Sequence, residues 1–210
     1  STRIVRMATT FVGHRKGGLG YVAIFTSILL AGLSGSAVAD AAALVSILYP
    51  MMKQAGYPEG RSMGLLASGG IIAPVIPPSL PLILVGVAGG ISIKDLFLGG
   101  IVPGLLMGLT LIIVWSVLVR NEDLPVAPKA TFTARMLALR EGVWALLLPV
   151  IIIGGIRFGV FTPTEAAVVA AVYALFISTF IYREMTWAKL YKVLTNSARA
   201  TAMVMFLVGC

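Results

Sequence analysis

The sequence predicts an all-α polytopic membrane protein with a re-entrant helical hairpin and a broken transmembrane helix. Three observations carry this. The chain is 59% hydrophobic and 11% charged, with a mean hydropathy of +1.00, and such apolar runs would need a soluble core larger than its polar residues can cover. The stretch Gly32-Leu33-Ser34-Gly35-Ser36-Ala37-Val38-Ala39-Asp40 sets a polar break and a carboxylate between apolar runs at 19–33 and 41–52. Ile76-Pro77-Pro78-Ser79 cuts a third apolar run, 63–90, in half.

The hairpin follows from lengths. Each arm, with its share of the break, is about 15 residues, so a helical arm reaches only ~22 Å against a hydrocarbon core of ~30 Å. The link between the arms is too short and too uncharged for an ordinary aqueous loop. Residues 17–52 are therefore expected to enter the membrane, turn inside it and leave by the same face. Non-helical backbone at that depth survives where it is buried in protein or lines a polar cavity, so the turn is expected to be a site.

The net charge of +8 does not indicate nucleic acid, because the sixteen basic residues are spread among the apolar segments and form no basic domain. One cysteine, Cys210, and one histidine, His14, supply neither a disulfide framework nor a Cys/His metal site. No signal-peptide pattern opens the chain, and both ends read as interior sequence, so it is expected to be a fragment cut at both ends.

In chain order, Arg3, Arg6, Arg15 and Lys16 make residues 1–16 a basic cytoplasmic segment leading into the hairpin, with His14 a solvated loop residue. Gly17, Gly18 and Gly20 lack the following Lys-Ser/Thr of a phosphate loop. After the hairpin, Pro50 and the polar turn 53–61, with Gly56-Tyr57-Pro58, return the chain to its starting face. Residues 53–119 hold the broken helix and the next span. The two prolines remove backbone donors and open the helix, leaving the carbonyls of Gly70, Ile71, Ala73 and Pro74 in need of partners. Ser92-Ile93-Lys94-Asp95 reads as a helix start. In the span 96–119 that it opens, Gly99, Gly100, Gly104 and Gly108 allow close packing and Trp115 is placed as an interfacial anchor.

Residues 120–142, with Pro125, Pro128, Arg135, Arg140 and Glu141, read as a cytoplasmic linker and surface helix. A short span at 143–156 follows, flanked by Trp144 and Arg157. Thr162-Pro163-Thr164-Glu165 restarts a helix at the membrane surface, with Thr162 as cap and Glu165 in the first turn; a ligand role for Thr162, Thr164 and Glu165 stands beside that reading. Residues 166–181 cross back, and Arg183, Lys189, Lys192 and Arg199 surround an amphipathic segment at 185–193. In this topology the basic segments 1–16, 53–61, 120–140 and 183–199 share one face, whereas the other receives only Lys94, Asp95, Arg157 and Glu165. That bias places the basic loops in the cytoplasm. Two full crossings over 17–52 give the same parity, so only arm length and the polar tip argue for re-entry.

A helix ending near Leu33 presents unpaired carbonyls and one beginning near Ala37 presents unpaired amides. Carbonyls with the hydroxyls of Ser34 and Ser36 suit a sodium ion, and the amides suit a carboxylate substrate, as at the discontinuous helices of secondary transporters. The proline break adds oxygens, with Ser79 a second hydroxyl source. Asp40 is the only acid within any apolar arm. It reads either as a functional ionisable group at depth or as a carboxylate favourable to the helix dipole. Ser36 caps the second arm in any case.

These residues resemble a family. The run from Gly32 to Asp40 with Ala41-Ala42, then Pro50-Met51-Met52, Gly56-Tyr57 and Ile72-Ala73-Pro74-Val75-Ile76-Pro77-Pro78-Ser79, looks like the large membrane subunit (DctM-type permease) of the tripartite ATP-independent periplasmic (TRAP) transporters. Leu96-Phe97-Leu98-Gly99-Gly100-Ile101-Val102-Pro103-Gly104 and Gly159-Val160-Phe161-Thr162-Pro163-Thr164-Glu165-Ala166-Ala167 add to the likeness. The resemblance implies an inner-membrane, sodium-driven importer of organic acids, C4-dicarboxylates or sugar acids, working with a periplasmic substrate-binding protein and a small membrane subunit. It implies no cofactor beyond the coupling sodium. It also implies an elevator fold of two inverted repeats, the second beginning within 143–210. Ser34, Gly35 and Ser36 match the first hairpin tip, and Pro77, Pro78 and Ser79 the first broken helix; the second hairpin and second broken helix are expected outside this stretch. A channel-like or structural subunit is the competing reading. A membrane enzyme fits poorly, for want of a nucleophile–base pair in the apolar segments.

Overall fold

The computed structural model describes residues 2–122, 124, 126 and 128–209, with the side chains of Val204, Leu207 and Val208 outside that description. Pro125 of the expected linker and Cys210 also lie outside the described residues. Residues 1–167 and 168–210 form separate compact units.

The first unit opens with a helix that composition did not announce. α1 (Thr2–Val12) buries Ile4, Val5, Met7 and Ala8 on one side, while Arg6 faces out and pairs with Glu141 at 3.3 Å. The expected basic lead-in is thus an amphipathic surface helix packed on the first arm of the hairpin and on the later helix Phe132–Arg157. The hairpin consists of α2 (Gly18–Ser34) and α3 (Ala37–Gln54), separated only by Gly35 and Ser36. At 17 and 18 residues the arms reach about 26 and 27 Å as straight helices, longer than the sequence suggested because α2 extends to Gly18 and Ser34 and α3 takes in all of 37–40 and runs on to Gln54. On α3, Asp40, Leu44, Leu48 and Met52 recur every fourth residue and all are buried, so the carboxylate lies on the same inward stripe as the core leucines.

α4 (Glu59–Gly70) packs against both arms, and Ile24, Leu44, Leu48, Met52 and Leu66 form the fully buried centre. The third apolar run opens as the prolines require. α4 stops at Gly70, residues 71–79 form irregular turns, and α5 (Leu80–Gly89) resumes. Ser92 caps α6 (Ile93–Leu118) by accepting from the Asp95 N–H at 3.3 Å. Gly100, Gly104 and Gly108 form a stripe whose missing side chains admit Val75, Ile76 and Ile28 respectively, whereas Gly99 faces open space.

Trp115 is 2% exposed. It is an interior bracket rather than the interfacial anchor expected: its indole N–H donates to the Gly17 carbonyl at 3.0 Å, and its ring lies nearly parallel to that of Tyr57 at 6.2 Å. Tyr57 in turn accepts from the Leu19 N–H at 3.3 Å. The Leu19 N–H, which a helix start leaves without an intrahelical partner, is thereby satisfied from the 53–61 turn, and the Gly17 carbonyl, which already accepts from the Gly20 N–H at 3.0 Å, takes a second donor from α6.

α7 (Phe132–Arg157) is one continuous helix that passes through Gly142, so the expected surface helix and the following span are a single element. Gly142 lets Met7 of α1 sit against that helix. α8 (Pro163–Phe176) begins at the expected Thr162 cap and runs into a π-helical turn, Ile177–Ile181. The second unit comprises the later part of α8, that turn and α9 (Trp187–Gly209). α6, α7 and the helical stretch Pro163–Ile181 are long and apolar enough to cross a membrane.

Candidate functional site at the hairpin tip

The break between α2 and α3 is built by two residues of opposite conformation. Gly35 is left-handed at φ 59°, and its N–H donates to the Ala31 carbonyl at 3.4 Å, closing α2. Ser36 is extended at φ −122°, and its hydroxyl accepts from the Ala39 N–H at 3.4 Å, opening α3 as the sequence predicted. Carbonyls at the end of one helix and amides at the start of the next therefore meet within two residues.

Ser34 and Asp40 close this turn from inside. The Ser34 hydroxyl donates to Asp40 Oδ1 at 2.5 Å and accepts from the Ser36 N–H at 3.1 Å. A serine hydroxyl offers one donor and two lone pairs, so one lone pair of Ser34 stays uncommitted. Asp40 is 3% exposed, and its Oδ2 is buried with no hydrogen-bond partner among the described residues. Of the two readings of Asp40, the dipole reading alone does not require that burial.

The two breaks, well separated in sequence, touch. A β-carbon on Gly35 would lie 2.6 Å from the Pro78 carbonyl oxygen and 3.1 Å from Ser79 Cα. Gly35 is thus required both by its positive φ and by the wall opposite. On the flank, Gly70 at the end of α4 lies against the Ala37 carbonyl and Ala41, and Gly32 lies against Pro149 of α7. Within the break, the Pro77–Pro78 peptide is cis, Pro77 is buried, and Pro78 presents its carbonyl to the tip. Ser79 is wholly buried; its hydroxyl donates to the Pro74 carbonyl and accepts from the Leu82 N–H at 3.4 Å, capping α5. The freed carbonyls of Gly70 and Pro74 find their partners in the Ala73 N–H and in Ser79.

Ser34, Gly35, Ser36, Asp40, Pro77, Pro78 and Ser79 are therefore brought together. Thr162 and Glu165 instead serve each other: the Thr162 N–H and hydroxyl donate to Glu165 Oε2 at 2.8 and 2.9 Å, and the Glu165 N–H donates back to Thr162 Oγ1 at 3.3 Å. This is a capping box, and Thr164 is exposed beside it. Sequence reasoning missed the Ser34–Asp40 bond. Its signal is a serine ending one helix and an acid in the first turn of the next.

A carbonyl-and-amide turn walled by a second helix break, among described residues whose regular elements are all helical and include helices long and apolar enough to cross a membrane, defines the class as a polytopic helical membrane protein with discontinuous helices. Residues 1–210 match the family model described as "Tripartite ATP-independent periplasmic transporter, DctM component", and the chain belongs to this family. It is 55% identical over 209 residues to the 2,3-diketo-L-gulonate TRAP transporter large permease protein YiaN of Escherichia coli (strain K12), covering 100% of this chain and 49% of that protein. It is 41% identical over 207 residues to the C4-dicarboxylate TRAP transporter large permease protein DctM of Pseudomonas aeruginosa, covering 99% and 48% of the two chains. A further relative is the sialic acid TRAP transporter large permease protein SiaM of Vibrio cholerae, 41% identical over 206 residues, or 98% of this chain and 48% of that protein. The chain spans about half the length of these curated relatives. The family consists of transporters, not enzymes.

Proposed function

We propose that the chain is part of the large permease subunit of a sodium-coupled importer of small organic acids, of the C4-dicarboxylate or sugar-acid type, acting with a periplasmic substrate-binding protein and a small membrane subunit in the inner membrane. The observation that supports this most is the contact of Gly35 with the Pro78 carbonyl, which brings the polar backbone groups of two helix breaks together. Sodium takes the carbonyls ending α2, the uncommitted lone pair of Ser34 and the negative charge of Asp40. The amides opening α3 face a substrate carboxylate. In this reading the hairpin is re-entrant, the basic loops are cytoplasmic, and α2–α5 move as part of an elevator domain.

The test is uptake by the full-length system in proteoliposomes with and without a sodium gradient, comparing wild type with Ser36→Ala and Asp40→Asn. Weakened sodium dependence in folded, inserted protein supports an ion site at the tip. Unchanged uptake and sodium dependence in both variants refutes it. Accumulation above the external concentration excludes the channel-like alternative.

A further inference from the structure

Gly32 lies one turn before the hairpin tip, buried in α2, and the space of its missing side chain is filled from another helix. A β-carbon there would lie 3.0 Å from Cγ and 3.2 Å from Cβ of Pro149, and 3.9 Å from the Pro77 carbonyl oxygen. The Pro149 ring therefore sits at the seam where the end of α2 meets the second helix break. It arrives there on the inward stripe of α7. Ala138, Gly142, Ala145, Pro149, Ile152 and Ile156 follow one another at three- or four-residue steps, and each is buried or half-buried.

Helix chemistry alone argues against a proline at this place. It removes the N–H that the Ala145 carbonyl would otherwise accept, and alanine is the better residue for a helix interior. What proline supplies is a short, rigid ring that fills the notch over Gly32. Ala145, one turn back on the same stripe, packs on the core that the hairpin arms share.

The consequence falls on the last carbonyls of α2. Of those that end a helix without an internal donor, the Ala31 carbonyl accepts from the Gly35 N–H at 3.4 Å. The carbonyls of Gly32, Leu33 and Ser34 have no backbone donor among the described residues. These are the groups that the sodium reading above uses, and the present inference rests on that reading. We propose that Pro149 is a positioning residue of the ion site. Without touching the ion, its ring seats Gly32 against the Pro77–Pro78 break and so fixes the spacing between the end of α2 and that wall.

The test is a sodium titration of uptake by the full-length transporter in proteoliposomes, offered a C4-dicarboxylate or a sugar acid, with thermal unfolding of the same variants in detergent. Pro149→Ala vacates the notch and is expected to raise the sodium concentration for half-maximal uptake about fivefold. Uptake at saturating sodium is expected to be kept, and the unfolding temperature to stay or rise, because alanine restores the helical hydrogen bond. Gly32→Ala presses a methyl group against the ring and is expected to raise half-saturation about threefold. The two together place that methyl where the ring was and are expected to return within about twofold of wild type. Pro103→Ala removes an exposed proline from the interior of α6 and is expected to leave the titration unchanged.

Unchanged half-saturation in both single variants, with sodium-dependent wild type, overturns the role of Pro149 and leaves the sodium reading standing. A double variant no better than the singles overturns it as well. So does uptake that falls alike at every sodium concentration in step with a lower unfolding temperature, since the contact is then packing alone. Wild-type uptake indifferent to sodium removes the ion site itself, and this role with it.

Discussion

The Ser34 hydroxyl bridges the two arms of the hairpin, donating to Asp40 Oδ1 at 2.5 Å while holding the Ser36 N–H at 3.1 Å. One side chain thus fixes the turn and satisfies half of a buried carboxylate whose other oxygen has no partner among the described residues. Ser34→Ala leaves both oxygens unpaired and is expected to destabilise by about 1–3 kcal/mol. In Asp40→Asn the buried charge is absent, so adding Ser34→Ala is expected to cost less there than in the wild type. Thermal unfolding of the four proteins in one detergent checks this; strictly additive shifts would show that the bond contributes nothing.

Gly35→Ala meets two obstacles, the left-handed backbone and the Pro78 carbonyl. Gly56 is a matched control, with φ 78° and nothing near a β-carbon. Gly56→Ala is expected to cost about 1 kcal/mol from backbone strain alone, with uptake unchanged. Gly35→Ala is expected to lose about tenfold or more in uptake at equal membrane insertion, as misplacement at a binding centre does. Equal uptake losses in the two variants would remove the special role given to the wall.

Trp115→Phe keeps the ring over Tyr57 but removes the indole donor, leaving the buried Gly17 carbonyl with the Gly20 N–H alone. The expected loss is about 0.5–1.5 kcal/mol, and about 3–5 kcal/mol for Trp115→Ala, where a cavity is added. Denaturation midpoints of the two variants test that order.

Thr162→Ala removes the capping hydroxyl of α8 and is expected to lower stability by about 1 kcal/mol. The sodium concentration giving half-maximal uptake is expected to stay within twofold of wild type. A larger shift would place the Thr162–Glu165 pair in the ion path rather than in a capping box.

Much of the fold was legible because local chemistry decides it. Ser36, Ser92 and Thr162 cap helices where the sequence places caps, and the Pro77-Pro78 pair opens the helix it interrupts. The remainder depended on neighbours distant in sequence. Trp115 reads as an anchor at the end of an apolar span, and only the approach of Gly17 and Gly20 turns it inward. α1 hides in a basic stretch because its buried face is just Ile4, Val5, Met7 and Ala8. At the site, each break was readable alone, whereas their contact depends on Gly70 admitting Ala37 and Ala41, a packing event no spacing encodes.

The nearness of Gly35 to Pro78 also bears on engineering. Residues 35–36 and 77–79 abut with no room for a β-carbon at Gly35, so a library that varies the tip alone is screened against a fixed wall. Altered ion or substrate preference is best sought by diversifying both stretches together, with bulk added on one side matched by bulk removed on the other.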